Sequence, residues 1–289
     1  MATLARTAPS RTTVIGALVV AAALAALYAP VLRDLVDAWS RISYHTYGFF
    51  IAPFSVWLAW ESRDRALVTP LAAWRPGAIV AAAGLATLML GVEAESLVLR
   101  SLSLPLTIAG LGLFALGPAG FRPFRFPVGF LVLMTPLPAE AIPAISVPLQ
   151  YVAAWFATWA LNVFGITAVR DGLYITLPAV TLHVSEDCNG LRFLLAMTVT
   201  GIAFGALTQS RLSMRVVVVF LAVATGLVAN LLRVTGTGVI AHEWGREAAS
   251  GTAHLVYGKA VYLVTMVPFV LAVIGLKRTS APAPPAQPA

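Results

Sequence analysis

Cys188 is the only cysteine in this 289-residue chain, and it stands in SEDCNGLRF, behind Glu186 and Asp187 and ahead of a long apolar run. Two more polar side chains follow it at similar spacings from basic anchors. Cys188 lies 23 residues before Arg211, Arg233 lies 18 after Arg215, and His254 lies 23 before Lys277. At 1.5 Å per helical residue each is about 27 to 35 Å from its anchor, close to one bilayer thickness. A thiol, a guanidinium and an imidazole are therefore expected at one edge of a membrane, raised there by three different helices.

These residue types suit acyl transfer through a thioester. A thiolate is a strong nucleophile, a neighbouring cation favours it, and an imidazole can hand a proton to a leaving amine. The donor fork of Arg233 fits the oxyanion that develops when a thiolate attacks a carbonyl. Asn230, one helical turn earlier in ANLLR, is placed to orient it. Each residue also has a structural reading: Cys188 as inert packing, Arg233 as a snorkelling group, and His254 as an interfacial cap. His242 in AHEWG competes with His254 as the base. Glu186 and Asp187 suit the dipole of the helix that follows them, or else attract the basic flank of a substrate.

Composition decides which elements can position such groups. With 59% hydrophobic residues, 11% charged ones and a mean hydropathy of +0.87, the chain has too little polar surface for a soluble globule. A polytopic all-α membrane protein is expected. One cysteine excludes an intramolecular disulfide, and no CxxC or Cys/His cluster offers metal-ligand spacing, so neither metal nor other cofactor is expected. The net charge of +7 is spread between apolar segments without a basic run or a recognisable nucleic-acid module, so no nucleic-acid partner is expected.

A helical crossing needs about 20 apolar residues. Spans are predicted near residues 13–32, 47–60, 77–95, 97–117, 126–138, 190–208, 216–236 and 259–276, about eight in all. The first, following Arg6 and Arg11, suits an uncleaved anchor as well as a signal peptide. Alternate threading from a cytoplasmic N-terminus places 11 of the 19 basic residues inside and ten of the twelve acids outside. Residues 144–165 are long enough to cross, but crossing would reverse every later basic loop. They are laid in the outer interface, where Trp155 and Trp159 fit, with a further span as the alternative. Residues 166–184 alternate β-branched and aromatic side chains around an Asp171-Gly172 turn signal, which predicts a short external β-hairpin before the cysteine. Residues 1–278 are read as one membrane domain, and 279–289 as a disordered Pro/Ala-rich tail.

Cys188 in EDCNGLR, Arg233 in ANLLRV and His254 in GTAHLVYG, in that order on the last membrane helices, resemble the Cys, Arg, His signature of the exosortase/archaeosortase family. Upstream, YHTYGFFIAPFSVWLAW and the stretches TPLP, VPLQ and GITAVRDGLYITLP resemble that family's earlier segments. The chain departs from the common pattern at Asn189, where Ser or Ala is usual, and at Leu255, where Asp is frequent. The resemblance implies a cysteine transpeptidase in the inner (plasma) membrane, with its site at the outer, periplasmic face. Its substrates would be exported proteins carrying a C-terminal sorting signal of the PEP-CTERM kind, passed to an unknown acceptor nucleophile. Cys188, Arg233 and His254 would be catalytic, with Asn230, Glu186 and Arg192 in support. A transporter and a non-catalytic component of envelope or polysaccharide assembly are the rival classes.

Overall fold

The computed structural model describes residues 11–67, 73–249 and 251–279, with the backbone alone at 12–14, 67, 187, 252–255 and 278–279. Helix follows helix for most of the chain: α1 (Arg11–Arg41), α2 (Gly48–Leu67), α3 (Pro76–Glu93), α4 (Leu97–Phe121), the short α5 (Arg125–Phe130) and α6 (Ala141–Val163). Three strands come next, β1 (Val169–Asp171), β2 (Tyr174–Thr176) and β3 (Thr181–His183). Helices α7 (Leu191–Thr208), α8 (Leu212–Ala248) and α9 (Gly251–Thr279) complete the described chain.

Seven helical stretches among the described residues are long and apolar enough to cross a membrane: Ile15–Arg41, Pro76–Glu93, Leu97–Met134, Ala141–Val163, Leu191–Thr208, Leu212–Ala248 and Val256–Lys277. The chain is an all-α polytopic membrane protein. The set differs from the expected eight in three places. Residues 126–138 form no span of their own. Helix α5 gives way to a 3-10 turn at Leu131–Met134 and then to extended backbone at Thr135, as Pro136 and Pro138 require. Helix α2 is long enough, but Glu61, Arg63, Asp64 and Arg65 crowd its last turns and deny it an apolar window. Conversely α6, laid in the interface by the charge argument, meets the length and composition of a crossing helix. The Pro/Ala-rich tail and the basic N-terminal residues of the charge count lie largely outside the described residues.

The chain divides into two units, one of residues up to Ile42 together with Gly48–Pro136, the other of Ser43–Tyr47 together with residues from Leu137 onward. The first unit is built on an α3/α4 hairpin of small residues. A Cβ on Gly84 would stand 2.7 Å from the backbone nitrogen of Thr107, and one on Gly110 would collide with the backbone of Ala81. Only glycine lets the two backbones approach this closely. Tyr28 of α1 is 1% exposed and pairs its hydroxyl with Thr107 Oγ1 at 2.8 Å while accepting from Ser103 Oγ at 3.1 Å.

The second unit carries the candidate site. Met197 of α7, Val218 and Ala222 of α8, and Phe269 and Val273 of α9 form one buried cluster. A second cluster seats the sheet on α6 and α8: Ile175, Leu177 and Val184 meet the small face Ala153, Ala154 and Ala157, with Leu161, Val234 and Ala241. In place of the expected two-stranded hairpin the structure has a three-stranded antiparallel sheet, ordered β1-β2-β3. Asp171 pairs with Tyr174, so the tight turn is Gly172-Leu173, with Gly172 at φ 59°. The Thr176–Thr181 pairing adds the third strand, and Val184 N donates to Leu173 O at 2.9 Å to carry the ladder toward the cysteine.

Candidate active site

The sheet is tied to α6 where it begins. Asn162 Nδ2 donates to Ala168 O at 2.8 Å and Ala168 N donates to Asn162 Oδ1 at 3.2 Å, a two-way clamp just before β1. Where β3 ends, residues Glu186–Cys188 make one 3-10 turn, closed by Cys188 N donating to Ser185 O at 2.9 Å. The turn is followed at once by α7. Asn189, 3% exposed, accepts from Leu191 N at 2.8 Å through its Oδ1, satisfying one of the donors that a helix start leaves open. At this position the amide side chain is a local helix-start device. Gly190 then takes φ 82°, a left-handed conformation costly for other residues.

Helix α8 holds this turn from the side. Asn230 Nδ2 donates to the carbonyl of Cys188 at 3.2 Å, and a Cβ on Gly190 would stand 2.7 Å from Asn230 Cγ. Asn230 therefore contacts the cysteine turn itself, where the sequence had suggested a partner for Arg233. The Cys188 side chain is half-buried and packs against the cluster under the sheet. One turn along α8, Arg233 is 6% exposed, with its guanidinium carbon 5.6 Å from the centre of the Phe193 ring, a cation–π geometry. Gly258 of α9 lies against it, its virtual Cβ 3.0 Å from Arg233 Nε. Tyr257 locks the same helix pair by donating to Leu232 O at 3.0 Å.

Arg233 lines a cavity of about 500 Å³ with Tyr47, Arg192, Phe193, Lys259 and Tyr262. Among the described residues of its lining three are cationic and none is acidic. Phe193 and Tyr262 stack at 5.4 Å and form its aromatic floor. Burial pushes the Tyr47 phenol up to about 12, so it remains a neutral donor at physiological pH. Tyr44 is raised too, by burial first and then by the negative charge of Glu186.

The expected residues thus fall into groups. Cys188 and Asn230 are joined by a hydrogen bond, and Arg192 and Arg233 share the cavity. Glu186 is exposed on the cysteine turn. The backbone of His254 lies in the first turns of α9, and its side chain is outside the described residues. His242, the competing base, is not among the described lining residues, and its Nε2 is 3.9 Å from the neighbouring Glu243 carboxylate. Among the described residues no group of three or more His, Cys, Asp or Glu side chains has a metal-holding arrangement. The sequence reading passed over Tyr47, Phe193, Lys259 and Tyr262. Lys259 carried a usable signal, a lone charge near the start of an apolar helix, and Tyr47 stood in the YHTYG stretch already noted.

A Cβ at Gly190 is expected to be strained by its φ and to displace the Asn230 amide. Gly190→Ala should therefore speed alkylation of the sole thiol by a small reagent, and Asn230→Ala should do the same. Unchanged labelling rates in both variants would show that the Asn230 contact does not hold the turn.

The family model for transmembrane exosortases (Exosortase_EpsH) matches residues 39–271. No curated protein and no solved structure matches the chain. The match spans both units and every residue placed at the site, from Tyr47 to Tyr262. The chain belongs to the transmembrane exosortase family, membrane-embedded enzymes of protein sorting.

Proposed function

We propose that the protein is a cysteine transpeptidase that cleaves a C-terminal sorting signal, of the PEP-CTERM kind, from exported proteins at the outer face of the inner membrane. The observation that carries this reading is the pairing of one half-buried thiol with α8: Asn230 grips the Cys188 carbonyl, and Arg233 follows one turn later beside an open cavity. The family match adds the sorting context.

In this reading the segment around the scissile bond lies in the cavity and reaches Cys188. The thiolate attacks the peptide carbonyl, and the charge that moves to the carbonyl oxygen is met by the Arg233 guanidinium. Collapse of the adduct breaks the C–N bond, and His254 supplies the proton the departing amine takes up. The thioester is then opened by an acceptor nucleophile, which His254 deprotonates, and the Cys188 thiolate leaves. Arg192 and Lys259 add positive charge to the same cavity, favouring an acidic element in the bound signal. Exposed Glu186 at the turn is suited to the basic flank of a substrate tail.

The orientation has its own test. Asp171 is exposed beside the β1-β2 turn. In a Cys188→Ala background, Asp171→Cys should react with an impermeant thiol reagent applied from outside. Labelling only after the membrane is opened would place the sheet on the cytoplasmic side.

Cys188→Ala should accumulate in the membrane and bind a tail-bearing protein without processing it. Arg233→Lys keeps a charge but loses the planar fork. Loss of one oxyanion donor costs about 3 to 4 kcal/mol, or roughly 10²–10³ in rate, so Arg233→Lys should fall with Arg233→Ala well below the parent. Retained cleavage by Cys188→Ala would remove the thiol from the mechanism. Activity of Arg233→Lys within a few-fold of the parent would reduce Arg233 to a general electrostatic partner.

A further inference from the structure

We propose that His45 is a positioning residue of this site, a neutral latch that holds Thr46 and Tyr47 in place as one wall of the cavity. The inference rests on the reading that the cavity receives the sorting signal.

The segment Ser43–Tyr47 is short and lies between α1 and α2, yet it belongs to the second unit. A connection of this kind needs something to hold it, and His45 is the residue built for it. Its side chain is 1% exposed and is among the largest fully buried ones in the chain. Its Nε2 accepts a hydrogen bond from Leu137 N at 3.2 Å. Leu137 stands between Pro136 and Pro138, which have no backbone N–H, so it is the only main-chain donor those three residues can offer. The rings of Tyr44 and Tyr47 meet the imidazole edge-on, at 4.9 and 6.4 Å between centroids. One buried ring thus sets the place of both tyrosines and bonds the segment to the backbone ahead of α6.

The chemistry of the bond fixes the state of the ring. A nitrogen that accepts cannot carry a proton, so the imidazole is neutral and its proton sits on Nδ1. Burial lowers the His45 pKa, in accord with that state. His45 is not among the described residues that line the cavity, whereas its neighbours Thr46 and Tyr47 are, together with Arg192 and Arg233. Its influence on substrate therefore passes through those two neighbours.

Plain core packing makes a different prediction from latching. If only shape matters, Leu and Gln replace His45 about equally well. If the acceptor matters, Gln supplies a carbonyl oxygen for Leu137 N and Leu strands that donor. The full chain is tested as His45→Gln and His45→Leu, with Leu137→Pro deleting the donor from the other side while His45 stays in place.

Two readouts are made in membranes. In a Cys188→Ala background, Thr46→Cys and Lys259→Cys are bridged across the cavity by a short bismaleimide, which needs no enzymatic activity. In the Cys188 background, kcat and KM are measured on a reporter carrying a sorting signal. We expect His45→Leu and Leu137→Pro each to slow bridging and raise KM by about tenfold, the scale of stranding or deleting one buried hydrogen bond, with kcat changed less. His45→Gln should stay within a few-fold of the parent in both. Bridging in His45→Leu and Leu137→Pro at the parent rate, or His45→Gln as impaired as His45→Leu, would overturn the latch. A parent that bridges in this pattern but processes no reporter would overturn the transpeptidase reading and leave the latch standing.

Discussion

One hydrogen bond organises the candidate site, the donation from Asn230 Nδ2 to the carbonyl of Cys188. It joins a single 3-10 turn to the middle of α8, the longest helix in the described chain. A turn this short has no stability of its own, and the thiol it carries would otherwise take many positions. The sheet before it and α7 after it each contribute. Val184 closes the ladder onto Leu173, Asn189 caps the start of α7, and Gly190 leaves room for the Asn230 side chain that a Cβ would fill. Because Arg233 lies one turn further along the same helix, whatever fixes Asn230 against the cysteine turn also fixes the backbone from which the Arg233 side chain starts.

The rest of the second unit serves that helix. Alanines on α6 let the sheet lie close, and the clamp from Asn162 sets where β1 begins. Phe193 of α7 and Gly258 of α9 flank Arg233, the first with a π face and the second with space. A buried arginine is costly unless its surroundings are arranged for charge. Here they include the aromatic face of Phe193 and the cavity that Arg233 lines.

Much of this was legible in the sequence, for reasons that differ from residue to residue. Membrane class followed from hydropathy, and the helix that follows Cys188 and those bearing Arg233 and Lys277 followed from runs of apolar residues between basic anchors. Gly172 marked its turn because a two-residue hairpin turn demands positive φ. The third strand was not separable from the loop that holds Pro178, since three residues carry too little alternation to declare themselves. Helix α6 was laid in the interface on loop charge, with crossing kept as the alternative, and its length and composition, already legible in the sequence, suit a crossing helix. Residues 126–138 were read as a span because hydropathy ignores prolines that interrupt a helix. The cavity wall was the least legible part. Tyr47 and Tyr262 are 215 positions apart in the chain, and no local pattern links an aromatic residue in a short connection to one in the last helix.

The central claim is that Cys188 forms a covalent bond to the sorted protein. The measurement that tests it most directly is mass spectrometry of the membrane enzyme quenched with acid during turnover of a tail-bearing substrate, with and without neutral hydroxylamine. The account predicts the amino-terminal portion of the substrate attached at Cys188 and released by hydroxylamine, as a thioester is. Substrate cleaved at a normal rate with Cys188 unmodified throughout, or an adduct on another residue, would contradict it.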